Sequence, residues 1–214
     1  MVGLTRPGEL ADQYAKIRQY ILNGNPRKIR ILAVTSAGHG EGSTTVAAQL
    51  ALSLASNPAL SILLVDANLR KPDIHRLFQV EQENGLTDFL RQKDFHTVLK
   101  KASINNNLSL LTSGKPVSDL SGFFNATDIE QKLIREAVKF DHVIMDCPPV
   151  DAYPETTMLA SHCDGVILVV QAGETRRELV LDAQEQMIHA KVNLLGVVLN
   201  RRKYYIPDFL YKKL

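Results

Sequence analysis

The sequence predicts an α/β protein: a doubly wound, mostly parallel sheet with helices on both faces. Three observations carry this. Short runs of aliphatic and β-branched residues recur along the chain, at 29–34, 61–66, 108–111, 142–146, 166–170 and 194–199. They are apolar with few interruptions rather than regularly alternating, as strands buried on both faces are. Between them lie segments of helical periodicity, and strand–helix–strand alternation implies right-handed crossovers into a parallel sheet.

Taken in order, Leu10, Tyr14, Ile17, Ile21 and Leu22 recur at helical spacing and predict an amphipathic N-terminal helix, which Asn23, Gly24, Asn25 and Pro26 stop. The first strand leads directly into Ser36-Ala37-Gly38-His39-Gly40-Glu41-Gly42-Ser43-Thr44-Thr45, and 46–55 reads as a helix rich in Ala and Leu. The second strand ends at Asp66; short helical pieces follow at 74–78 and 86–90. A strand ends at Ser113-Gly114, a helix covers 129–138, and the strand ending at Asp146 runs into Cys147-Pro148-Pro149. A helix starts at Pro154; strand 166–170, helix 177–189 and strand 194–199 complete the pattern. The stretch 81–125 has the least regular pattern and is expected to form an irregular excursion or lid. The expected division is 1–26 for the amphipathic helix and linker, 27–201 for the core domain, and 202–214 for a basic, tyrosine-containing tail.

With 214 residues, 45% hydrophobic and 22% charged, the chain fits one ordinary globular domain that buries a core without staples. A net charge of +2 gives no strong field towards nucleic acid. The two cysteines, Cys147 and Cys163, lack partners at metal-ligand spacing and read as reduced thiols. The N-terminus shows no apolar signal region, and the longest apolar runs are too short to cross a bilayer. A cytoplasmic protein is expected, peripheral at the inner face of the membrane only through a partner.

The chemistry gathers where the strands end. In an open α/β sheet, ligands bind outside the carboxyl ends of the strands. The turn 36–45 falls there. Gly40 and Gly42 let the backbone curl and present N–H groups inwards, and the helix beginning near Ser43 adds its positive end. Such a loop takes a nucleoside di- or triphosphate, with Gly40, Glu41, Gly42, Ser43, Thr44 and Thr45 as its binding residues. Thr44 stands where a hydroxyl reaches Mg²⁺. A glycine turn that merely joins strand to helix is the alternative, but two strand-end carboxylates point at the same edge. Asp66 is placed to hold Mg²⁺ or to take a proton from an incoming hydroxyl, and Asp146 to orient metal-bound water.

The usual loop pattern, G-x-x-x-x-G-K-[ST], would put glycine at Ala37 and lysine at Ser43. A lysine–phosphate bond is charge-assisted, about 1.5–3 kcal/mol, so its loss weakens binding by roughly one to two decades. Phosphoryl transfer suffers more, because charge spreads onto the transferring oxygens in the transition state.

From about Gly8 to Arg201 these motifs resemble the bacterial protein-tyrosine autokinases of capsule and exopolysaccharide assembly, whose domain is a P-loop fold related to MinD and ParA. The residues that carry the resemblance are Gly40-Glu41-Gly42-Ser43-Thr44-Thr45 for Walker A, Asp66-Ala67-Asn68-Leu69-Arg70 for Walker A′ and Asp146-Cys147-Pro148-Pro149 for Walker B. The stretches 85–90 and 197–201 are also similar to family segments. The resemblance implies ATP or ADP with Mg²⁺ as cofactors. It makes Asp66, Arg70 and Asp146 catalytic, Thr44, Asp66 and Asp146 metal-holding, and places Asn200 at the adenine. It implies a membrane polysaccharide co-polymerase as partner, with self-association. Tyr204, Tyr205 and Tyr211 are the phospho-acceptor candidates of a tail sparser in tyrosine than the family's.

The departures are Ser43 for the phosphate lysine and Asn68 for the second Walker A′ aspartate. The helix motif E-x-x-R-x-x-R, used by the family for ring assembly, reads Asp12, Ala15 and Arg18. Gly38 stands where MinD and ParA proteins carry their signature lysine. Three functions compete: a nucleotide-binding relative with weakened or lost transfer, in effect a pseudokinase; an active, non-specific protein-tyrosine kinase acting on its own tail; and a scaffold without nucleotide.

Overall fold

The computed structural model describes residues 7–24, 28–126 and 129–202. Among these residues seven strands form one sheet: β1 (Ile31–Ser36), β2 (Ile62–Asp66), β3 (Lys100–Ala102), β4 (Asn105–Leu111), β5 (His142–Asp146), β6 (Gly165–Gln171) and β7 (Leu194–Asn200). Their order is β3-β4-β2-β5-β1-β6-β7, parallel throughout except for β3 against β4. The expected doubly wound α/β architecture is therefore present.

Alternate strand residues face opposite sides, so each strand feeds two cores. Leu32, Val34, Ile62, Leu64, Leu108, Leu110 and Ile144 pack under α1 (Pro7–Gln19) and α2 (Ser43–Ala55). In α2, Val46, Ala47, Leu50, Ala51 and Leu54 form the buried stripe that helical periodicity predicts. Ala33, Leu63, Val65, Val143 and Leu168 face the other side. There they meet α4 (Leu86–Leu90), α5 (Phe95–Val98), α6 (Leu120–Ala126), α7 (Ile129–Ala137), α8 (Pro154–Ser161) and α9 (Arg177–His189). A short α3 (Ile74–Leu77) follows β2 on the α2 side. The N-terminal helix ends as expected near Asn23, but through a π-helical turn, Tyr20–Gly24.

The stretch 81–125 is more regular than expected. It holds α4, α5 and α6, and a hairpin in which β3 turns back into β4 across Ser103-Ile104. The turn carries none of the Gly or Asn residues that announce a two-residue hairpin. The stretch is also fastened to the core. Leu86 N–H donates to the Thr112 carbonyl at 2.7 Å and Thr87 N–H to that of Ser113 at 3.0 Å. Asp88 Oδ2 accepts from the N–H groups of Gly85 and Lys115. A Cβ on Gly85 would lie 2.2 Å from the Thr112 carbonyl oxygen. Gly85→Ala should therefore destabilise the fold by about 2–3 kcal/mol through overpacking against backbone, read as a lower urea midpoint with unchanged slope.

Candidate functional site

The turn between β1 and α2 is shaped by its two glycines. Gly40 (φ 77°) and Gly42 (φ 90°) both sit in the left-handed region, which side chains disfavour. Gly42 caps α2 without a side-chain hydrogen bond, so the first amides of α2 have no side-chain capping partner. A Cβ on Gly42 would come within 2.5 Å of Asn200 Nδ2. Ala37, where the usual pattern has glycine, is buried and donates its N–H to the Val169 carbonyl at 3.2 Å. Its φ is not positive, so nothing at that position calls for glycine.

The turn is braced from the loop after β6 and from the end of β7. Thr175 hydrogen-bonds Glu41 Oε1, and Asn200 Nδ2 donates to the Glu41 carbonyl at 2.8 Å. Asn200 Oδ1 meanwhile accepts from Arg201 N–H. Ser43 opens α2 directly behind Gly42, buried; Thr44 is half-buried and Thr45 exposed.

Asp66 and Asp146 pair across β2 and β5 in register, both fully buried at the carboxyl edge. Asp66 Oδ2 accepts from the N–H groups of Asp73 (3.2 Å) and Ile74 (3.1 Å). Its Oδ1 and both oxygens of Asp146 have no hydrogen-bond partner among the described residues. Burial pushes the Asp66 carboxyl up to about 7, against the pull of those backbone amides. Burial, with Asp66 beside it, holds Asp146 well above the usual carboxylate range. The Thr44 hydroxyl approaches Asp146 and favours its charged form, without reaching good hydrogen-bond geometry.

Three buried oxygens without partners beside a hydroxyl fit a small hard cation. Mg²⁺ is bound by one or two carboxylates together with phosphate and water oxygens. Among the described residues no cluster of three His, Cys, Asp or Glu side chains could hold a metal alone. The set therefore suits an ion that arrives with phosphate.

Arg70 is held more firmly than its sequence position shows. Its Nε lies 2.6 Å from Oε1 of the buried Glu155, and its guanidinium stacks over the Tyr153 ring at 4.1 Å from the centroid. The same ring meets the His39 ring edge-on, 5.7 Å away, so the clamp touches the phosphate turn. Glu155 and Tyr153 escaped sequence reasoning. The Pro-Glu pair signals a helix start, but nothing in its spacing ties it to a residue 85 positions earlier. Thr175 escaped likewise.

The loop residues, Thr44, Asp66, Arg70, Asp146 and Asn200 thus meet at one edge of the sheet. Tyr204, Tyr205 and Tyr211 lie outside the described residues. Cys147 and Cys163 are both free thiols.

A family model described as an AAA domain matches residues 29–194. The chain is 33% identical over 205 residues to tyrosine-protein kinase YwqD of Bacillus subtilis, covering 95% of this chain and 86% of that protein. Among solved structures it resembles the chimerical protein CapA2B2, with a TM-score of 0.83 and 26% identity over 90% of this chain and 85% of the other. The cell division ATPase MinD of Pyrococcus furiosus shares the fold, with a TM-score of 0.67 and 21% identity over 86% of this chain and 78% of that one. The chain belongs to the bacterial tyrosine-protein kinase family, on the MinD/ParA-like P-loop fold.

Proposed function

We propose that the chain holds ATP or ADP with Mg²⁺ at the turn 36–45 and that its phosphoryl transfer is weakened or lost. One observation supports this best: the cradle and its carboxylates are complete in kind, while position 43 offers a serine hydroxyl instead of a lysine ammonium. The backbone amides from Gly40 to Thr45 bind the phosphate chain. Thr44 and Asp146 hold the metal, and Asp66 stands to take the proton of a tyrosine hydroxyl. Mg²⁺–ATP, when bound, supplies the phosphoryl group and part of the charge that stabilises its transfer. Asn200 braces the turn near the base. In this reading the chain acts in capsule or exopolysaccharide assembly. It works at the inner face of the membrane through a polysaccharide co-polymerase, to which it reports nucleotide state by shape, and it is able to self-associate.

A second reading keeps the kinase active, phosphorylating Tyr204, Tyr205 and Tyr211. It is favoured by Arg70, a cation already fixed beside the turn through Glu155 and Tyr153.

Titration calorimetry with Mg²⁺–ADP checks the shared core of both readings. Binding is expected in the micromolar to millimolar range, with Thr44→Ala weakening it roughly tenfold only when Mg²⁺ is present. No heat at millimolar ligand sinks the proposal and leaves a scaffold without nucleotide.

A further inference from the structure

A second cleft of about 320 Å³ opens beyond the ends of β2 and β4. The phosphate turn follows β1, two to three places away in the strand order, and Arg70 borders both. Four basic side chains line it, Arg70, Lys71, Arg76 and Lys115, and no acidic one does. Arg70 is already paired with Glu155, and Arg76 meets the half-buried Asp73 at 3.5 Å, a pair worth little at a solvent-facing site. Lys71 and Lys115 are exposed, and their ammonium groups have no ionic or hydrogen-bond partner among the described residues. Cations gathered without counter-charge repel one another unless an anion joins them.

The wall between them is rigid and carries an unused hydroxyl. Ser113, 2% exposed, lines the cleft, and its Oγ has no hydrogen-bond partner among the described residues. A buried hydroxyl left unpaired costs about 1–3 kcal/mol, which a ligand oxygen relieves. Its neighbour Gly114 (φ 84°) would bring a Cβ within 2.5 Å of Thr87 Oγ1, and Thr87 Oγ1 itself donates to the Lys115 carbonyl at 2.8 Å. The loop is thus locked to α4 by the same bonds that fasten the 81–125 stretch, and Asp88, beneath it, spends Oδ2 on the Gly85 and Lys115 amides.

We infer that this cleft is a second anion site, built for a phosphate group and separate from the nucleotide turn. Lys71 and Lys115 supply charge, and Ser113 a hydrogen bond. Two sources offer that chemistry, free inorganic phosphate and a phosphotyrosine side chain. The tail's own charge argues against an unmodified tail as occupant, because Arg202, Lys203, Lys212 and Lys213 are basic.

The test uses the full chain with three probes by NMR titration: inorganic phosphate, a short phosphotyrosine peptide, and the same peptide with glutamate for phosphotyrosine. Lys71→Gln/Lys115→Gln changes only exposed side chains, so folding is preserved, and thermal melting checks it. That variant should lose phosphate and phosphotyrosine binding about tenfold or more, and Ser113→Ala a few-fold. Gly42→Val, which blocks the nucleotide turn, should leave both intact. Tighter binding of the phosphopeptide than of phosphate assigns the site to a polypeptide, and the reverse order assigns it to the free ion. Unchanged affinity in the lysine variant, loss of binding in Gly42→Val alone, or equal binding of the glutamate peptide would each overturn the inference.

Discussion

Ser43→Lys is expected to raise phosphate transfer from Mg²⁺–ATP to tyrosine by about a hundredfold or more. Removing one donor aimed at developing charge in a transition state costs a factor of about 10²–10³, so restoring one should return a similar amount. The surroundings are ready for it. Ser43 opens α2 behind the left-handed Gly42. Asp66 and Asp146 present three oxygens without partners among the described residues at the same sheet edge, which carry their charge once a metal ion joins them. Single-turnover reactions followed by mass spectrometry of the tail peptide would measure the gain. No gain, in a variant that still binds Mg²⁺–ADP, would move the block elsewhere, and Asn68 in the place of the second Walker A′ aspartate is then the next departure to examine. Substantial transfer by the unaltered chain would favour the second reading, with Arg70 serving in place of the lysine.

The other large effect is a pH dependence that runs opposite to that of most carboxylates. Asp66 is raised from 3.8 to about 7 in the folded protein, so between those values the folded state holds a proton that the unfolded chain has released. Stability therefore falls as pH rises through that window. Three pH units correspond to about 4 kcal/mol, and Asp146 is shifted in the same direction. The melting temperature of metal-free protein should drop on the order of 10 °C between pH 5 and pH 8. Asp66→Asn should flatten the profile, since no charge is left to bury there. Mg²⁺–ADP should restore stability more at pH 8 than at pH 5, because it meets the carboxylates only when they are ionised. A flat profile in the unaltered protein would show that these groups are already hydrated or paired in solution.

The parts of this molecule that sequence made legible are those in which one local pattern decides the outcome. The apolar runs ending at Asp66 and Asp146 are strands on both faces of which something packs, so continuous hydrophobicity identified them. The glycines of the turn were readable because positive φ at Gly40 and Gly42 leaves few alternatives. The hairpin of β3 was not readable, because Ser103-Ile104 carries no turn signal and Lys100-Lys101-Ala102 is too short and polar for an interior strand. It survives as an edge strand, where only one side needs a partner. The clamp on Arg70 was hidden for a different reason. A contact between residues 70 and 155 is made by tertiary packing, and no periodicity records it.

The two oxygens of Asp66 do different work, and this has a spectroscopic consequence. Oδ2 holds the amides of Asp73 and Ile74, while Oδ1 is left without a partner in the site. Charge on a carboxylate is shared, so whatever draws it towards Oδ1, a proton or a cation, thins it at Oδ2. The amide resonances of Asp73 and Ile74 therefore move with the state of the site. They form a native sensor on the backbone that needs no label and no substrate, and they lie in the segment that leads from the nucleotide edge past Lys71 to the second cleft.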